Sequence, residues 1–463
     1  MDISNNNYWV KFNKSKAWAT TWGKRDLTLY GKCTIIKSIL LSQFTYLAVP
    51  LLRPSNTTIA SLNTLIFHFL WGCKMDKIKR EVVVRPRDEG GLGLFSPANF
   101  LLSMKVTLIF KLIDDMFCHK WKDIALNQLL HPGHPVISIE NGLVGNKTYS
   151  FMADLLCCFA EWKKARAEAC DSSINHCIWG NHLITDIGAK LWNDYLINRG
   201  LLYLSDFLSE DNQVLNYNSF ISKHHISTRT ITPSIYLNIK MAIRRYDCPA
   251  VTSKSLAMIN QEINLSSINN KYTKIKGGTI RGMMTKAASP NELSALKSWS
   301  TDIKRTSIDW QSVFIRLYGN FTNNYKLLQF QYKLMLRIST SRYMRFKMGI
   351  DREGGTCSLC ELGLETLSHI FMECPNTTFF VTRINNFIKD KIDPDYKDPN
   401  RYFFITCCYS NNTIDFLNLC AKWYISRSFQ GKKKLVWEVF LSQVRFCLVG
   451  EKRELRESLE SLL

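Results

Sequence analysis

Acidic residues are scarce in this 463-residue sequence: 39 Asp+Glu stand against 60 Lys+Arg, a formal net charge of +21 at pH 7. An excess of that size excludes an electrostatically neutral surface and points to polyanionic partners, which a cationic surface attracts and steers through counterion release. Long apolar runs are also missing. The best of them, 38–52, is interrupted by Ser42, Gln43 and Pro50 and falls short of the roughly 20 residues a membrane span requires, so no membrane partner is expected. Residues 1–10 carry neither a basic leader nor an apolar core, so a secretory signal is not expected either. The expected setting is therefore nuclear or cytoplasmic and reducing, where the fifteen cysteines serve as core thiols or metal ligands rather than disulfides. The sequence also lacks G-x-S-x-G, H-E-x-x-H and Walker motifs. It shows no repeat of fixed period and no low-complexity tract.

What is present describes a folded, helical chain. Hydrophobic residues make up 46% and aromatics 12%, which excludes disorder. The length suits roughly three domains of about 150 residues each. The expected fold class is mainly α: a multi-part helical chain with a small C-terminal zinc-knuckle module and few short strands. Apolar spacing predicts one helix over 31–47, with Ile35, Ile36, Ile39 and Leu40 inward, and a second over 59–71, with Leu62, Leu65, Ile66, Phe69 and Leu70 on one stripe. A third helical pattern covers 98–123. Between them, Glu81–Arg85 is a short β-branched run read as a strand. It leads to Glu89-Gly-Gly-Leu-Gly-Leu94, whose glycines imply a tight turn or a close backbone approach rather than a phosphate loop, because no Lys-Ser/Thr pair follows. The Pro/Gly/His break at 131–135 marks a boundary, and the expected regions are 1–130, 131–298 and 299–463.

The sharpest chemical signal is Cys357-Ser-Leu-Cys360, then His369, then Cys374. Two cysteines separated by two residues can aim both sulfurs from one turn, and a nearby His and Cys can complete a tetrahedron around Zn2+. Three Cys and one His close the coordination sphere and leave no position for a reacting water, so the zinc is expected to be structural. Thr366 is placed to cap a short helix running to Glu373, which Pro375 cannot continue. At about 100° per residue His369 and Cys374 do not share a helical face, so Cys374 must lie where the helix unwinds. A bland reading, four unrelated residues of a thiol-rich core, competes with this one.

Upstream, 304–352 holds ten Lys+Arg against only Asp309 and Asp351, interleaved with Tyr318, Tyr325, Phe330, Tyr332, Tyr343 and Phe346. On a helix over 325–338, Lys326, Lys333 and Arg337 form a narrow cationic stripe beside an apolar face of Leu327, Phe330, Leu334 and Ile338. With Arg342 and Arg345 these residues suit a phosphate-tracking surface on which exposed aromatics stack with bases. Asp114-Asp115 stands in a helical pattern without the aromatic residue of a polymerase metal turn, and is read as a solvated helix face. His131, His134, His224 and His225 lack ligand companions at metal spacing and are read as loop histidines.

Several of these segments resemble a known family. Trp22-Gly-Lys-Arg-Asp-Leu-Thr-Leu-Tyr-Gly-Lys32, then Lys37, Tyr46, Phe69-Leu-Trp71, Pro86 and Glu89-Gly-Gly-Leu-Gly-Leu94 are similar to the segment after the polymerase palm in LINE-type non-LTR retrotransposon proteins. Cys357-Ser-Leu-Cys360, Glu365-Thr-Leu-Ser-His-Ile-Phe371, Cys374-Pro375 and Ala421-Lys-Trp-Tyr-Ile425 resemble that family's C-terminal reverse-transcriptase zinc-binding region. The resemblance covers both ends and hardly touches the middle. It implies a thumb-like first region, a helical connector, and a C-terminal zinc-binding region that grips RNA template or target DNA. It assigns Lys24, Arg25, Lys32 and Lys37 to phosphate contacts, Gly90, Gly91 and Gly93 to a structural turn, and Cys357, Cys360, His369 and Cys374 to zinc.

The polymerase carboxylates and the endonuclease site of the family are not found. The expectation is therefore a nucleic-acid-binding fragment that does not polymerise alone, since magnesium-dependent polymerisation needs carboxylates to hold the metals. The alternatives are a zinc-knuckle module that binds a protein, and an accessory part of an active RNA-directed DNA polymerase encoded upstream. The partners implied are RNA, DNA and that upstream-encoded reverse transcriptase.

Overall fold

In the computed structural model the described residues are 3–72, 75–113, 119–129, 150–169, 177–181, 184–211, 213–245, 280, 293–305, 307–319, 321–352 and 354–462. The described residues are 65% helical and 3% strand, which is the mainly α class expected. Among the described residues one two-stranded antiparallel sheet occurs, Thr185–Asp186 against Ala189–Lys190. Two compact units are assembled from interleaved segments: 1–15, 41–63 and 95–288 in the first, and 16–40, 64–94 and 289–463 in the second. The last passage of the chain from the first unit to the second is at 288/289, and residue 130 and the break at 131–135 lie outside the described residues.

The first unit is organised by the packing of helix Pro97–Ile113 on helix Ser150–Ala169. Val106, Ile109, Leu155, Phe159 and Trp162 are all buried there, and Phe110 meets Phe159 and Trp162 edge-on at 6.1 and 5.3 Å. Burial of this kind contributes about 1.5–3 kcal/mol per large apolar side chain. The helical pattern expected over 98–123 is carried by helices Pro97–Ile113 and Lys120–Leu129; Asp114 and Asp115 lie outside the described residues. Arg53 ties the Leu51–Pro54 turn to the second helix through Asp154 at 2.7 Å and Glu161 at 2.8 Å. Buried Lys105 donates to the Leu51 carbonyl and lies 3.5 Å from Asp154. His131 and His134 are not among the described residues. His224 is not a loop histidine: it ends helix Tyr217–His224, and its Nε2 donates to the Asp206 carbonyl at 2.8 Å, while His225 forms the left-handed cap.

The second unit is built around helix Asn412–Gln430, which is buried on almost every side. Asn411 starts it by accepting from the Thr413 and Ile414 amides through its side chain, the usual satisfaction of orphan N–H groups at a helix start. Helices Tyr325–Met335, Tyr402–Thr406, Pro375–Lys391 and Trp437–Leu448 pack against it. Phe380, Tyr424, Trp437 and Phe440 form one aromatic cluster with centroids 5.4–6.0 Å apart.

Two sequence expectations need correction in the second unit. The helix predicted over 31–47 is divided: Leu29–Ile35 is α-helical, Ile36–Leu40 is a π-helical turn, and Ser42–Ala48 begins again after Leu41 and belongs to the first unit. Ile36 and Leu40 are buried, whereas Ile35 and Ile39 are only half-buried. The β-branched run read as a strand is the short helix Arg80–Val84, because its neighbours supply turn partners and no strand lies alongside among the described residues. A run this short carries no period able to decide between the two. The glycine turn behaves as read. Gly90 has φ +83°, and a Cβ on Gly91 would sit 2.0 Å from the Arg85 carbonyl oxygen, a distance no side chain tolerates.

Candidate metal centre

Residues 354–374 form a hairpin closed by a short helical turn. Thr356 and Leu364 pair as an antiparallel bridge, and the Cys357 amide donates to the Gly363 carbonyl at 2.7 Å. Between them the chain turns back on itself through Glu361, at φ +58°, whose amide donates to the Cys357 carbonyl. The Cys357–Cys360 pair thereby stands on one turn, as the two-residue spacing requires. Gly355 admits the neighbouring helix Arg342–Lys347, since a Cβ there would lie 2.8 Å from the Tyr343 ring.

The imidazole arrives from the other side of the hairpin. Thr366 Oγ1 accepts from the His369 amide at 3.0 Å, so Thr366 caps this turn as expected. His369–Glu373 is a π-helical turn, closed by the Cys374 amide donating to the His369 carbonyl at 2.8 Å. Cys374 itself leaves the helix at φ −59°, ψ 124°, and Pro375 starts the next helix, Pro375–Lys391. The extra residue in a π turn replaces the i→i−4 bond by an i→i−5 bond. That change resolves the geometric conflict of an ideal helix and brings Cys374 to the same side as His369.

The ligand atoms of Cys357, Cys360, His369 and Cys374 all lie within 4.8 Å of one another, and Cys360 Sγ is 3.3 Å from His369 Nε2. A tetrahedral ion with metal–sulfur bonds of about 2.3 Å sets its sulfurs about 3.8 Å apart, so small side-chain adjustments would seat one. The four residues could therefore hold a metal ion. Cys357, His369 and Cys374 are buried, and Cys360 is half-buried. Burial pushes the Cys357 thiol up to about 12; a bound cation reverses that preference, because a coordinating thiol loses its proton. The donor set of three soft sulfurs and one imidazole suits a tetrahedral metal and, being complete, offers no open position.

Two carboxylates that sequence reasoning did not single out lie beside these ligands. Glu365 is buried and accepts from the Ser358 amide and hydroxyl at 3.0 and 2.9 Å and from the Arg342 amide at 3.1 Å. It fastens the cysteine turn to the start of helix Arg342–Lys347. Glu373 Oε2 lies 3.9 Å from His369 Nδ1, the ring nitrogen that does not face Cys360, and its side chain is largely exposed. Only their position between and beside the ligands could have drawn attention to them.

The basic residues expected to contact nucleic acid are placed unequally. Lys24 and Arg25 are exposed, with Arg25 stacked 4.3 Å from the Trp22 ring; Lys326 is exposed 3.8 Å from Asp26, beside exposed Tyr325. These form one cationic, aromatic corner. Lys32 donates to the Leu70 carbonyl at 3.2 Å, and Lys37 is half-buried. The stripe of Lys326, Lys333 and Arg337 does not form, because the helix ends at Met335 and Arg337 sits at φ +53°. There Arg337 pairs with Asp302 and lies 4.2 Å over the Trp299 ring. Lys333 is half-buried, and desolvation, with Lys77 and Lys32 nearby, lowers its pKa. Arg342 and Arg345 both approach Asp351, at 3.7 and 3.4 Å. Of the interleaved aromatics only Tyr325 and Phe346 are exposed; Phe330 and Tyr332 are core, and the Tyr318 hydroxyl donates to the Gly91 carbonyl. Neither a protein-family model nor a curated protein matches this chain.

Proposed function

We propose that this chain binds nucleic acid through its second unit, that Cys357, Cys360, His369 and Cys374 hold a structural Zn2+ there, and that bond-making is left to another polypeptide. The observation that carries the reading is the distribution of charge. The second unit holds 36 Lys+Arg against 23 Asp+Glu, so most of the +21 excess lies in the unit that also contains the knuckle. Within that unit Lys24, Arg25 and Lys326 stand with Trp22 and Tyr325 at one corner, while Arg345, Lys347 and Arg352 rim the knuckle with exposed Phe346. Cations beside accessible aromatic rings are what a single strand needs: phosphates track the charges and bases stack on the rings. The zinc would hold the Cys357–Cys374 loop in shape, and through Glu365 it would hold the start of helix Arg342–Lys347.

The resemblance to LINE-type reverse-transcriptase proteins favours RNA template or target DNA as the polymer. The test is an anisotropy titration of labelled single-stranded RNA and DNA at two salt concentrations. With about six phosphate contacts, raising monovalent salt from about 50 to 200 mM weakens single-strand binding by about three-hundredfold. Affinity that does not change with salt would refute phosphate contact as its source.

A further inference from the structure

Helix Trp437–Leu448 is apolar on two sides. Phe440, Val444, Cys447 and Leu448 face the core of the second unit and are buried. On the other side Val436 is 42% exposed, Val439 53%, Phe446 79% and Val449 79%. Within the helix Val439 and Phe446 lie about 20° apart on the helical wheel and form one exposed apolar stripe, with Val436 and Val449 in the extended residues that flank the helix at its two ends. The outer face of the helix also carries Glu438, Ser442 and Arg445, so the exposed apolar residues form a stripe beside polar ones.

The stripe reads the same in both directions. About a two-fold axis between Ser442 and Gln443, an antiparallel second copy sets Val436 against Val449, Val439 against Phe446, and Ser442 against Gln443. The charges follow the same symmetry. Glu438 and Arg445 lie on the same flank of the stripe, and antiparallel pairing brings Glu438 of one copy within about two residues, or 3 Å along the axis, of Arg445 of the other, twice over. Among the described residues of its own chain, Glu438 has only a 3.9 Å approach from Arg383. An isologous contact demands that one patch be complementary to itself, and this one is so in its apolar and charge pattern.

We propose that the outer face of helix Trp437–Leu448 is a two-fold interface between two copies of this chain. A single helix pair buries on the order of 1,000 Å², the low end for specific association, so the dimer dissociates on dilution. Sedimentation velocity on the nuclease-treated full chain tests it, and the expected mass rises from one chain to two between about 1 and 100 µM. Phe446→Asp should keep the mass at one chain throughout, and because Phe446 is largely exposed the variant keeps its fold, checked by circular dichroism. Glu438→Arg and Arg445→Glu should each weaken the dimer about tenfold, and combining them should restore it. A wild-type chain that stays single, a dimer that survives Phe446→Asp, a double variant no better than either single one, or a dimer that nuclease abolishes would each overturn the proposal.

Discussion

Two buried polar constellations lie on neighbouring helices of the second unit and follow opposite logic. Along Asn412–Gln430 the two buried charges, Lys422 and Asp415, each meet several hydrogen-bond partners. Lys422 donates to Gln331 Oε1 and the Ile405 carbonyl, both at 2.7 Å, and to Cys407 Sγ at 3.0 Å; Asp415 accepts from Arg316 at 2.8 Å and from the Tyr409 amide at 3.0 Å. At 357–374 three thiols and an imidazole converge on one another, all of them able to offer lone pairs to the same point. Burial is similar in the two places, but only in the first do the buried charges, Asp415 and Lys422, find hydrogen-bond partners within the chain. A matched network is scaffold, and a buried cluster of like donors needs something from outside the chain to complete it.

The largest expected effect comes from removing one of those donors. Cys374→Ser should lose the metal and unfold residues 354–374, because structural zinc supplies folding energy on the order of 10 kcal/mol; metal content per chain and hydrogen exchange over the loop would report both. Asp415→Ala should cost about 3–5 kcal/mol in a thermal or denaturant melt, since it strands Arg316 without its buried partner. The same melt should show Lys422→Met costing less, about 1–3 kcal/mol, because it strands buried Gln331 Oε1 while relieving the desolvation that lowers the Lys422 pKa. Were Lys422→Met as costly as Asp415→Ala, the matched network would be more than scaffold.

The smaller pH effect belongs to Asp398, at the start of helix Tyr402–Thr406. Its carboxylate accepts from the Phe403 and Phe404 amides at 2.7 and 2.9 Å, yet burial outweighs those bonds and raises its pKa from 3.8 to about 6. The folded state therefore holds the proton more tightly than the unfolded one. Its contribution to stability is full below about pH 4 and is lost as the pH rises through 6, and a proton held that much more tightly is worth at most about 3 kcal/mol. Asp398→Asn should flatten that part of the stability–pH profile, and an unchanged slope would show that the proton sits elsewhere.

The same contrast explains what the amino-acid sequence reveals. The Cys/His cluster was legible because metal coordination imposes a spacing, and the Thr366 cap and the Pro375 stop because helix ends have their own chemistry. The mainly α class followed from apolar periodicity. The π turn at His369–Glu373 was not legible, since an i→i−5 bond has no residue preference of its own; what the sequence did show was that an ideal helix could not join His369 to Cys374. The cationic stripe misled for a related reason. Periodicity continues through Arg337, but the chain turns to positive φ at that residue, and a charge pattern cannot tell an arginine facing solvent from one laid over Trp299 against Asp302. Glu365 was invisible because its role depends on the Ser358 and Arg342 amides, which meet only after folding.

The distinction between matched network and convergent donors is tested most directly by X-ray absorption at the zinc edge on the purified full chain. One zinc per chain with three sulfurs at about 2.3 Å and one nitrogen at about 2.0 Å is the predicted result. A chain without bound metal after folding in zinc, or a shell dominated by oxygen, would contradict it.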